Sequence, residues 1–137
     1  MTYTISHYRY DSDANHQPCL KKGHKAHWAV VYGFIVLTNE IKDAKYENLE
    51  NLGQNCYRIK DINLIQNGVC KQVPRERICL IAKQGKSRRV GIWSFNELAA
   101  SNANLSEVDP KRNSPLDYIL PLDNKLTDLQ GKVIIAG

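Results

Sequence analysis

A nearly unbroken apolar run, AHWAVVYGFIVL at positions 26–37, limits how this chain can fold more than any other feature. β-branched and aromatic residues crowd it, and such side chains pack well on a pleated surface while losing rotamer freedom in a helix. The run is about half the length of a membrane-crossing helix and contains Tyr32 and Gly33, so a buried central strand is the expectation. Gly33 is expected to mark a bulge, a close backbone approach or a hairpin bend within that strand.

A central strand needs neighbours. Residues 77–83 read as a second strand, with Ile78, Leu80 and Ala82 on one face and Cys79 and Ile81 on the other. KQGKSRR then reads as a turn and residues 89–95, RVGIWSF, as a third strand that forms a hairpin with the second. A short helix is expected to begin over residues 96–100, and residues 116–120 and 132–136 read as two further short strands. Residues 8–23 are polar, carry Pro18 and Gly23 and show no period, which predicts a surface loop. Between 38 and 74 the pattern weakens; a helix over 43–52 fits imperfectly, and residues 39–75 fit a variable segment equally well. The sum is an α+β chain, mostly an antiparallel sheet of four or five strands. With so little helix to cover it, the sheet must curl toward a barrel or receive a helical partner from outside this chain.

At 137 residues and 42% apolar content there is room for one domain with a core. The net charge of +5 is spread along the chain, and no recognition helix, stacked aromatic platform or zinc-finger spacing accompanies it, so nucleic acid is not an expected partner. The leading residues hold no apolar stretch suited to a signal peptide and no run suits a membrane span, which predicts a cytoplasmic protein with no membrane partner. Cys19, Cys56, Cys70 and Cys79 form no CxxC pair, so free thiols are expected. Cys19, His24 and His27, with His16 nearby, lack the paired half-sites of structural zinc, and neither metal nor cofactor is expected.

The sharpest local feature is GHKAHWAVVYG, residues 23–33. His27 stands at the mouth of the apolar strand, where rigid backbone anchors it while its ring can face the open end of a sheet and meet a nucleophile. Residue physics alone fits equally a half-buried histidine satisfied by a backbone carbonyl.

The stretch YDSDANHQPCLKKGHKAHWAVVYG, with KQGKSRRVGIWSFNELAASNANLSEVDP and the later YILP, resembles the C-terminal half of the actin maturation proteases. These are cytosolic cysteine aminopeptidases whose fold is similar to the C39 branch of the papain-like group. The resemblance implies a papain-like, C39-like cysteine protease core, of which residues 1–137 would be the histidine-bearing, mostly sheet half. It implies removal of an acetylated methionine or cysteine from immature actin, with the actin N-terminal peptide as partner and His27 as the base. The family's nucleophilic cysteine starts a helix well before the histidine, and no residue here matches it; Cys19, only eight positions upstream, is not assigned that role. The N-terminal half of the protease domain is therefore a further expected partner. The group that orients the imidazole should come from the strand after the histidine strand. Where relatives carry an acidic residue after the tryptophan of GIWSFN this chain has Ser94, so Asn96 is the favoured orienter and Ser94 the second. Asn96 could equally cap the helix that follows. The chain alone is expected to lack activity, which leaves a noncatalytic actin-binding fragment or a pseudoprotease as the alternative reading.

Overall fold

The computed structural model describes residues 5–37, 49–54, 56–59, 73–112 and 125–136. In chain order its elements are strands β1 (Ile5–Ser12), β2 (Pro18–Cys19), β3 (Ala26–Val36), β4 (Leu49–Gly53), β5 (Cys56–Ile59), β6 (Ile78–Gln84) and β7 (Gly91–Ser94), then helix α1 (Phe95–Ala103) and strand β8 (Val133–Ala136). One six-stranded sheet runs in the order β2-β1-β3-β6-β7, with β8 also pairing with β1, and every pairing is antiparallel. The result is an α+β fold dominated by antiparallel sheet, the arrangement of the sheet half of a papain-like, C39-like core.

The apolar run is the central strand β3, flanked by β1 and β6, and the expected β6–β7 hairpin and the short strand near the end are both present. A register shift between Val31 and Gly33 identifies the irregularity at Gly33 as a bulge. Two expectations are corrected. The stretch expected to be a loop from residue 8 is strand β1 through Ser12, because Tyr8 and Tyr10 point to the covered face while the alternating His7, Arg9 and Asp11 hide that pattern in polarity. The helix over 43–52 is contradicted where it can be seen: Leu49–Gly53 pairs with Cys56–Ile59 as a separate hairpin. The expected strand at 116–120 lies outside the described residues.

Directly opposed residues share a sheet face, so the ladders place Tyr8 and Tyr10, His27, Ala29 and Val31, Ala82 and Gln84 on one side. Helix α1 covers that side. Its buried Leu98, Ser101 and Asn102 recur at helical spacing, and Leu98 joins Tyr10, Ala29, Leu80, Ala82 and Trp93 in the core. Polar contacts pin the helix to β1 and β2: the Ser101 hydroxyl accepts from Asp11 N at 2.9 Å and donates to the Cys19 carbonyl at 2.7 Å, while Asn102 Nδ2 donates to the Arg9 carbonyl at 2.7 Å. The opposite sheet face exposes Trp28, Ile92 and Ile134.

Trp93 packs its ring against Tyr10, with centroids 5.1 Å apart, and lies directly over Gly91. A Cβ at Gly91 would sit 2.3 Å from the indole nitrogen. Gly91→Ala is therefore expected to push the indole off Tyr10 and lower stability by about 1–3 kcal/mol, the range for overpacked cores. Thermal unfolding checks this, and an unchanged melting temperature would contradict the packing.

Candidate active site

His27 is held from two directions, by the ladder it belongs to and by the loop that leads into it. That loop, residues 20–25, wraps around one carboxylate. Asp11, fully buried, accepts hydrogen bonds from the backbone N–H of Lys21 (2.9 Å) and Gly23 (2.8 Å) on one oxygen and of Lys25 (3.0 Å) on the other. The loop also closes on the segment after α1: Lys22 N–H donates to Asn104 Oδ1, and Ser106 and Glu107 N–H donate to the Lys22 carbonyl. Gly23 makes this closure possible. Its φ is +106°, and a Cβ there would lie 2.3 Å from the Glu107 carbonyl oxygen.

From this loop the chain enters β3, where His27 lies opposite Tyr10 and is half-buried on the helix-covered face. The Tyr10 hydroxyl donates to the His16 carbonyl at 3.0 Å, and burial pushes its pKa up to about 12, so it remains a neutral donor beside the histidine. On the other flank β6 ends at Gln84, opposite Ala29. Gln84 is 1% exposed and shares the face of His27.

The two residues expected to orient His27 are placed elsewhere. Ser94 ends β7 opposite Cys79, and Cys79 faces Ile35, eight residues beyond His27 and on the order of 20 Å along the strand. Its hydroxyl caps α1 by accepting from Glu97 N–H. Asn96 is not on a strand at all. The chain turns helical at Phe95, leaving Asn96 exposed on the side of α1 away from its buried residues. The sequence thus located the capping site but attached it to the wrong residue.

Among the described cysteines none stands beside His27. Cys19 pairs with Asp11 and Cys79 with Ile35, which puts both on the opposite sheet face, and Cys56 belongs to the separate hairpin. Burial raises the Cys19 thiol pKa, the reverse of what an activated thiolate requires. Cys70 lies outside the described residues. Nor, among the described residues, do three His, Cys, Asp or Glu side chains converge as a metal site would require.

Beside the loop opens a groove of about 530 Å³, its walls carrying Lys21, Lys22, Lys25 and Lys111 against Glu107 and Asp109. Glu107 is bonded to His24 Nε2 at 2.9 Å and paired with Lys22 at 3.5 Å. The His24 hydrogen bond, helped by the Lys22 charge, holds the Glu107 carboxyl below the usual carboxylate range. Lys25 is two residues from His27, roughly 7 Å in extended chain, so the lysine-rich groove adjoins the histidine.

Sequence reasoning missed Asp11 and Gln84. Both looked like loop or turn residues, and only the strand register reveals them.

Comparison with known proteins adds the following. The family model "Actin maturation protease-like, C-terminal domain" matches residues 6–35. The actin maturation protease of Danio rerio is 34% identical over 92% of this chain and 41% of its own length. That of Xenopus tropicalis is 32% identical over 92% of this chain and 39% of its own length, and that of Drosophila melanogaster 30% identical over 82% and 29%. The chain therefore spans about two fifths of the first two relatives. No solved structure matches it.

Proposed function

Because this chain belongs to the actin maturation protease family, we propose that it is the histidine-bearing C-terminal portion of a cysteine aminopeptidase acting on the N-terminus of actin, and that alone it binds that peptide without cleaving it. The observation that carries this reading is His27, fixed at a strand mouth on a face where none of the described cysteines lies. A base so placed can take the proton of a nucleophile, but acyl transfer also needs that nucleophile and donors aimed at the developing oxyanion.

In the whole enzyme His27 would deprotonate a cysteine supplied by the remainder of the domain, and the thiolate would attack the carbonyl of the first peptide bond. The bond removed would be that of an acetylated methionine or cysteine. The lysines beside His27 support an actin peptide as ligand, since a cationic groove attracts carboxylates and steers their approach. Actin as substrate makes the cytoplasm the place of action.

The test joins this chain to the leading portion of the Danio rerio relative and compares it with the chain alone on an acetylated actin N-terminal peptide by mass spectrometry. The joined protein is expected to release the acetylated residue, and the chain alone only to bind the peptide. Cleavage by the chain alone that disappears on Cys19→Ala would replace this reading with one in which Cys19 is the nucleophile. A folded joined protein that leaves the peptide intact would favour a pseudoprotease.

A further inference from the structure

We infer that Lys21, Lys25 and Lys111 determine specificity by reading carboxylates on the leaving-group side of the scissile bond, so that the site selects the residues it exposes and retains its acidic product. The inference rests on the proposed removal of an acetylated residue beside His27, and it names the peptide chemistry that the groove recognises.

The groove is defined by which of its charges are already paired. The Glu107 carboxylate is taken by His24 Nε2 at 2.9 Å and by Lys22 at 3.5 Å, and Asp109 Oδ1 accepts from the Lys111 backbone N–H at 3.0 Å. Among the described residues, Lys21, Lys25 and Lys111 take part in no ion pair. All three are exposed, and all three line the same groove of about 530 Å³. Lys22 lines it too, but its charge is answered from within the chain.

The backbone that carries Lys21 and Lys25 is fixed before any ligand arrives. The buried Asp11 carboxylate accepts from both of their N–H groups, and the turn between them is closed by Lys22 at φ +58° and Gly23 at φ +106°. Only side-chain freedom is then lost when a ligand binds. Ser12 N–H donates to the Lys25 carbonyl at 3.0 Å, which extends the pairing of β1 with β3 beyond Ala26. Strand alternation puts Lys25 on the face of His27.

The side of the scissile bond follows from charge. An acetylated methionine or cysteine carries none, because acetylation removes that of the terminal amine. Any carboxylate that the lysines meet therefore belongs to residues after the scissile bond. Those residues form the leaving group, whose amine is released beside His27, and Lys25 is the nearest of the three lysines along the chain. Cleavage removes nothing that the lysines hold, so the processed end stays bound.

The test measures binding of dye-labelled peptides to the chain alone by fluorescence anisotropy. The probes are an acetyl-methionyl peptide continuing with aspartates, the same peptide without its acetylated residue, and a version with asparagine in place of each aspartate. The first two are expected to bind within about threefold of each other, and the asparagine version about tenfold more weakly. Lys21→Met and Lys25→Met are each expected to weaken the aspartate peptides about threefold, and the double variant about tenfold, with the asparagine peptide unaffected. Lys132→Met removes the same charge away from the groove and is expected to leave binding in place. Glu107→Gln releases Lys22 and is expected to tighten the aspartate peptides about threefold. Equal affinity for the aspartate and asparagine peptides, a large loss on removing the acetylated residue, or equal losses from Lys25→Met and Lys132→Met would overturn the inference. So would an RNA oligonucleotide of matched charge that binds as tightly, since the groove would then be a general anion surface. These affinities are measured without turnover, so a groove that ignores carboxylates and a joined protein that fails to cleave are separate results.

Discussion

His27→Gln in the joined protein is expected to reduce turnover of the acetylated actin peptide by about a thousandfold, within the range contributed by a positioned general base. Glutamine keeps a polar side chain at the strand mouth but cannot take up a proton near neutral pH. The backbone ladder that holds β3 against β1 is untouched, so the variant should still fold. Peptide affinity should also persist, because the groove lysines are untouched. The diagnostic result is a loss in kcat with KM preserved in a folded variant; turnover within tenfold of the parent would remove His27 from the chemistry.

The largest effect on stability is expected at Asp11. Asp11→Ala deletes the acceptor of three backbone N–H groups at once and leaves the loop from Lys21 to Lys25 with donors that water reaches only if the loop opens. A buried donor left unpaired costs about 1–3 kcal/mol, and partial opening spares some of that, so a loss of roughly 3–5 kcal/mol is expected. Asp11→Asn should not rescue it. Both carboxylate oxygens accept N–H groups, and an amide must turn its NH2 toward at least one of them. Urea unfolding measures the loss, and amide exchange at Lys21, Gly23 and Lys25 locates it. Native stability in the alanine variant would show that the loop holds itself.

What could be read from the residues follows from how local each signal is. β3, β6 and β7 announce themselves because apolar side chains alternate or run together within a few positions, and the β6–β7 hairpin joins neighbours in sequence. β1 was hidden because His7, Arg9 and Asp11 alternate with its tyrosines, and its partners lie far along the chain. His27 was legible from its place before an apolar strand. Gln84 was not, because a glutamine before glycine reads as a turn, and only the pairing of Gln84 with Ala29 places it on the sheet face of His27. Asn96 was misplaced by extending β7 two residues too far, when a serine with glutamate three positions on is itself a helix-start signal.

The bulge between Val31 and Gly33 has a mechanical consequence. One extra residue lets β3 present Ala29 and Val31 to the core before it and Phe34 after it, although these positions are out of phase in an ideal strand. The strand therefore behaves as two half-strands joined by a phase shifter. An insertion or deletion in the connection that follows Val36 can be taken up by the far half, while the half bearing His27 keeps its register with β1 and with Gln84. The end of the sheet that bears His27 is insulated from the connection after Val36 by a single residue of slack.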